Sequence, residues 1–215
     1  MDTNSRLNKP NFKTGLDLLD GIVSLEPGAQ PAVGILSPAG AGATSLMAQI
    51  SRAAGKVGKT LVFSPMPLMA SELLRFNGMG VTVYDVLDAE ELKEIVRREK
   101  PVAVLIDGLY GFPSPEGWKG TRGDYLDLLN REIVQLAFHQ RFVLFMSKKV
   151  NRDPLADNAE GATPIDDGCT DVLVLTFDAE AKEHRLRTVK SRAGTSNQSQ
   201  RLIFDRSAQS FSAVV

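Results

Sequence analysis

Three stretches of this chain carry residues that could act on a phosphate. The first is Ser37-Pro38-Ala39-Gly40-Ala41-Gly42-Ala43-Thr44-Ser45, set between the apolar run Ala32 to Leu36 and the helix-forming run LMAQISRAAG. A strand, a glycine-rich turn and a helix in that order make a phosphate-binding loop of pattern G-x-x-x-x-G-K-[ST]. Ser37 stands at the first glycine, Gly42 at the second, Ala43 at the lysine and Thr44 at the metal-facing hydroxyl. Backbone N–H groups of such a loop cradle an anion without any side chain. Gly40 and Gly42 permit the tight backbone, and Thr44 or Ser45 can place a hydroxyl on a magnesium ion. Alanine in place of lysine removes the charge that grips the terminal phosphates, at a cost in both affinity and rate. The competing reading is a loop kept for folding alone. Lys56 and Lys59 lie at the far end of the helix and do not replace the lysine.

The second stretch ends in Asp107, after the apolar run Val102 to Ile106. An aspartate there can hold magnesium through water, at the strand ends where open α/β sheets bind ligands. Equally, it can cap the turn at Gly108. The third is notable for what it lacks. After the strand Thr60 to Ser64 the chain reads Pro65-Met66-Pro67, with no carboxylate to prepare a water; Glu72 comes later, in a predicted helix.

Two further sets are basic. Lys190 and Arg192 alternate and so share one side of a strand. They suit either a contact to a neighbour's nucleotide or, as the favoured reading, a charged edge that discourages strand pairing. Lys119 and Arg122 in one loop, and Lys148, Lys149 and Arg152 bordering another, are candidates for DNA contact, with Tyr110 and Trp118 to stack on bases. Both loops also carry acids, among them Glu116, Asp124, Asp153 and Asp157, which favours a solvated surface.

The elements that must hold these residues alternate. Strands are expected at 32–36, 60–64, 81–86, 102–106 and 142–146. Helices are expected at 45–56, 71–76, 89–100 capped by Asp88, and from Asp124 with Leu126, Leu129, Ile133, Leu136 and Ala137 on one stripe. That alternation predicts a parallel sheet between helix layers. Three closing strands, at 171–177, 184–190 and 201–204, predict an antiparallel edge. Residues 1–11 read as a flexible arm and 12–215 as one domain, with irregular loops at 112–123 and 151–168.

Composition removes several alternatives. The net charge of −1 gives no global basic field, so any nucleic-acid contact must be local. One cysteine excludes an internal disulfide, and two distant histidines suggest no zinc site. The polar start and the lack of an apolar run near ~18 residues lead to the expectation of a cytoplasmic protein with no membrane partner.

These segments, in this order, resemble the RecA superfamily, near the core shared by RecA, DnaB and KaiC. The matching stretches are FKTGLDLLDGI, SPAGAGATS, TLVFS, VAVLIDGL, VLFMSKKVNR, TPIDDG before DVLVLTF, TVKSRAG and RLIFD. The resemblance implies a mostly parallel sheet, subunits that stack, and ATP with magnesium between neighbours. It places Gly42 and Thr44 in the loop, Asp107 as the Walker-B acid and Lys190 with Arg192 as a trans-acting pair. Met66 falls near the family's catalytic glutamate and Lys148 near a polar sensor. With Ala43, these departures imply a non-hydrolysing member without an obligate cofactor, similar to the accessory protein of the translesion mutasome (ImuA-like). Its expected partners are a RecA-type, replication or translesion protein, further copies of itself, and single-stranded DNA. A weak or partner-activated ATPase is the alternative.

Overall fold

The computed structural model describes residues 12–23, 31–65, 68, 70–86, 88–150, 168–192 and 196–214. Helix α1 (Asp17–Val23) leads into strand β1 (Ala32–Pro38), helix α2 (Ala43–Gly55) and strand β2 (Thr60–Ser64). Helix α3 (Ala70–Arg75), strand β3 (Val81–Asp85), helix α4 (Ala89–Glu99) and strand β4 (Ala103–Ile106) follow. Helix α5 (Arg122–Gln140) and strand β5 (Val143–Val150) complete the alternating part. Strands β6 (Asp171–Asp178), β7 (Glu183–Ser191), β8 (Ser199–Asp205) and β9 (Ser210–Ala213) close the chain.

The nine strands among the described residues join one sheet in the order β3-β2-β4-β5-β1-β6-β7-β8-β9. Pairing is parallel from β3 to β6 and antiparallel from β6 to β9. The apolar strands have no polar face because both faces are covered. Val33, Ile35, Leu105 and Phe145 pack on the side of α1 and α2. Ala32, Leu36, Val104, Ile106, Leu144 and Met146 pack on the side of α4 and α5. The stripe of α5 is buried as the periodicity predicts.

The entry to the sheet is tied down by side chains. Buried Asp20 accepts from the Thr14 backbone N–H at 2.6 Å and its hydroxyl at 2.7 Å. Gln49, buried on α2, donates to the Thr14 and Phe211 carbonyl oxygens and accepts from the Phe211 N–H at 2.6 Å. One side chain thus joins α2 to both ends of the chain's core.

Some boundaries move from their expected places. Helix α2 starts at Ala43 rather than Ser45, directly after the left-handed Gly42. Helix α5 starts at Arg122 because Thr121, not Asp124, is its cap; Asp124 reaches back to form a capping box. Strand β5 runs on to Val150, and β9 is an unforeseen fourth closing strand. The expected arm, residues 1–11, and residues 151–167 of the second loop lie outside the described residues. Among the described residues no helix is long and apolar enough to cross a membrane.

Candidate phosphate-binding cleft

The loop sits at the carboxyl end of β1, in the middle of the sheet. Gly40 and Gly42 have φ of +82° and +94°, a left-handed backbone that glycine adopts without strain. A Cβ on Gly42 would also come within 2.9 Å of the Phe211 ring. Among the described residues no side chain caps the first turn of α2, so its N–H groups keep their capacity for a ligand. Ala43 and Thr44 stand at the start of that turn, and Ser37 is buried beneath.

Asp107 follows β4, next to the loop. Its Oδ1 accepts from the Ser147 hydroxyl at 2.7 Å, and that same Oγ accepts from the Gly108 N–H at 2.9 Å. Gly108 therefore turns on Ser147, and Asp107 does not cap it as the alternative reading expected. Burial pushes the Asp107 pKa up. Hydrogen bonds from Ser147 and Thr44 oppose that rise; Glu72 adds to it and Lys149 works against it. Thr44 is near enough to favour the charged form of Asp107, so the two expected magnesium residues are neighbours. Among the described residues no three acids, histidines or cysteines cluster to hold a metal alone. The pair fits a magnesium ion that arrives with phosphates, which would supply the other ligands.

Above the loop opens a cleft of about 450 Å³, within the range of small-molecule sites. Its floor includes Gly40, Gly42, Ala43, Thr44 and Ser45. Helix α3 contributes Glu72 and Arg75, and β5 contributes Lys149. The closing strands fold over to add His184, Phe204, Arg206, Gln209 and Phe211. Three cations thus face one carboxylate. His184 and Phe204 both pack on Phe211, with ring centres 5.0 and 4.9 Å away. Burial in this aromatic group lowers the His184 pKa.

The architecture was compared with known proteins. No protein-family model matches the chain, and no curated protein sequence does. Solved structures do match. A DnaB-like replicative helicase, described together with its interactions with primase, superposes with a TM-score of 0.77 at 12% identity, over 98% of this chain. The chain spans 64% of that protein's length. The ATPase domain of G40P superposes with a TM-score of 0.75 at 12% identity, over 97% of this chain and 93% of the domain. The fold is that of the RecA-like helicase ATPase domains.

Within that fold the predicted residues separate. Gly40, Gly42, Ala43, Thr44 and Ser45 line the cleft, and Asp107 joins them through Thr44. Lys149, considered above for DNA contact, also lines the cleft. Lys148 instead lies over the Tyr110 ring, 4.3 Å from its centre. Arg122 donates to the Tyr110 carbonyl oxygen. Trp118 packs edge-on against Tyr125 and donates to the Thr121 carbonyl oxygen. Tyr110 and Trp118 are thus engaged within the fold. Lys119 is exposed; so are Lys190 and Arg192, at the end of β7 and away from the cleft lining. Arg152 and Met66 lie outside the described residues. Sequence reasoning missed Arg75, Arg206 and the aromatic wall. The available signal was the alternation of β7 to β9, but nothing local says that these strands bend over the loop. It also set Glu72 aside, which the structure brings into the cleft.

Proposed function

We propose that this chain is a RecA-fold accessory factor that holds a phosphate ligand without turning it over and acts by docking on another protein. The observation that carries the reading is the contrast at α2. The glycine turn, the open N–H groups and the Thr44–Asp107 pair fit a phosphate with magnesium, while alanine stands where the catalytic lysine belongs. Binding and catalysis thus part company, because the missing charge acts most strongly in the transition state. The setting is DNA repair, recombination or replication, and the partner a RecA-type recombinase or a replication or translesion protein; fold analogy supports both. The DnaB-like neighbour's interactions with primase supply one model for such docking. Self-association through the surfaces on which RecA-type subunits stack is the other, and single-stranded DNA is a further ligand to test.

Turnover decides the reading. Steady-state ATP hydrolysis should stay at background with and without single-stranded DNA. Ala43→Lys alone should not restore robust turnover, since no acid follows β2 at the position of Met66. Glu72 favours a second reading, a weak or partner-activated ATPase, because it lines the cleft beside the loop. Robust hydrolysis by the Ala43→Lys variant, abolished by Glu72→Gln, would sink the argument from the double loss; turnover by the unaltered chain above background would establish the second reading.

A further inference from the structure

We propose that Arg75, from α3, supplies the phosphate-facing charge that Ala43 lacks, and so makes the cleft a site for a nucleoside polyphosphate. This rests on the reading that the cleft takes a phosphate ligand.

Arg75 enters the site from a different element than the lost lysine. Its Nη1 lies 3.2 Å from the Ser45 hydroxyl, on the first turn of α2. The guanidinium therefore stands at the helix end where the loop's N–H groups gather, and it shares the cleft lining with Ala43. Among the described residues its side-chain partner is a hydroxyl, not a carboxylate. A charge matched only by a neutral hydroxyl is available to an anion, and a guanidinium can grip phosphate with two parallel N–H groups.

Its position is built rather than incidental. Arg52, half-buried on α2, donates through Nη1 to the Arg75 carbonyl oxygen. Through Nη2 it donates to the Gln209 carbonyl oxygen at 3.1 Å. One side chain thus fixes the end of α3 and the β8–β9 turn to the same helix. Both walls of the cleft are set relative to the loop. The same cleft is lined by His184, Phe204 and Phe211, which would offer a base an apolar surface while Arg75 faces the phosphates. A bare phosphate would leave that surface unused, and the volume of about 450 Å³ suits the larger ligand.

The test is calorimetric titration of the purified chain with magnesium-ATP and, separately, with tripolyphosphate. Arg75→Ala should weaken both by about tenfold or more, since a charged hydrogen bond to phosphate is lost. Arg75→Gln removes the charge while keeping a longer, polar side chain, so it gives the same answer if the alanine variant melts early. The double variant Arg75→Ala with Ala43→Lys should regain most of the affinity, and the lysine should gain more there than in Ala43→Lys alone, a non-additivity that a merely structural role for Arg75 would not produce. Unchanged binding by Arg75→Gln, or no recovery in the double variant, overturns the role of Arg75 and leaves the cleft as a phosphate site. Failure of the unaltered chain to bind either probe overturns the cleft reading itself, and this inference with it.

Discussion

At Asp107, a residue proposed to face a ligand, ionisation carries a cost to the fold. Burial raises its pKa, so ionising it is harder in the folded chain than in the unfolded one. The sign follows from linkage. Below the unfolded carboxylate value of about 3.9 the group is protonated in both states and carries no penalty. As pH rises through the folded pKa, the penalty grows to its full size. Asp107→Asn, which keeps an oxygen for Ser147, should therefore raise the melting temperature at neutral pH. The gain should shrink steadily as the pH falls toward about 4. A gain that persists unchanged at low pH would mean that ionisation is not the source. The same substitution should weaken any magnesium-dependent binding, because it removes the anion that faces Thr44.

At the scale of elements, α2 organises the site, and Gln49 is its main fastener. Its amide meets three backbone groups, from Thr14 and Phe211, in a buried place. Gln49→Leu keeps the volume and strands those groups. The expected loss is about 2–3 kcal/mol in chemical denaturation, from buried donors and acceptors left unpaired. Because β9 carries Phe211, the variant should also weaken ligand binding at temperatures where it is still folded. This element scale also separates what was legible in the sequence from what was not. Strands β1, β2, β4 and β5 declare themselves as continuous apolar runs, and the stripe of α5 sits where the spacing puts it. The loop was legible because its glycines are local needs. The aromatic wall was not, because Gly42 and Phe211 are far apart in sequence and meet only after β7, β8 and β9 have paired. Arg75 was hidden for a related reason: α3 buries none of its residues, so its sequence reads as a plain surface helix.

Across the whole molecule, the net charge of −1 conceals a local excess of positive charge over the loop, where Arg75, Lys149 and Arg206 face Glu72. Composition alone left only a local patch open, and the fold gathers cations around the loop from three separate parts of the chain. The same fold brings together the residues that the proposed reading assigns to magnesium and phosphate, while alanine stands at the lysine position. On the reading proposed above, such a chain would hold a nucleotide rather than consume it. The most direct measurement is calorimetric titration of magnesium-ATP into the purified chain, with Asp107→Ala as control and the nucleotide analysed afterwards. Saturable binding that weakens in the control, with ATP recovered intact, is the predicted result. No binding at millimolar ATP, or conversion of the ATP to ADP during the titration, would contradict the account.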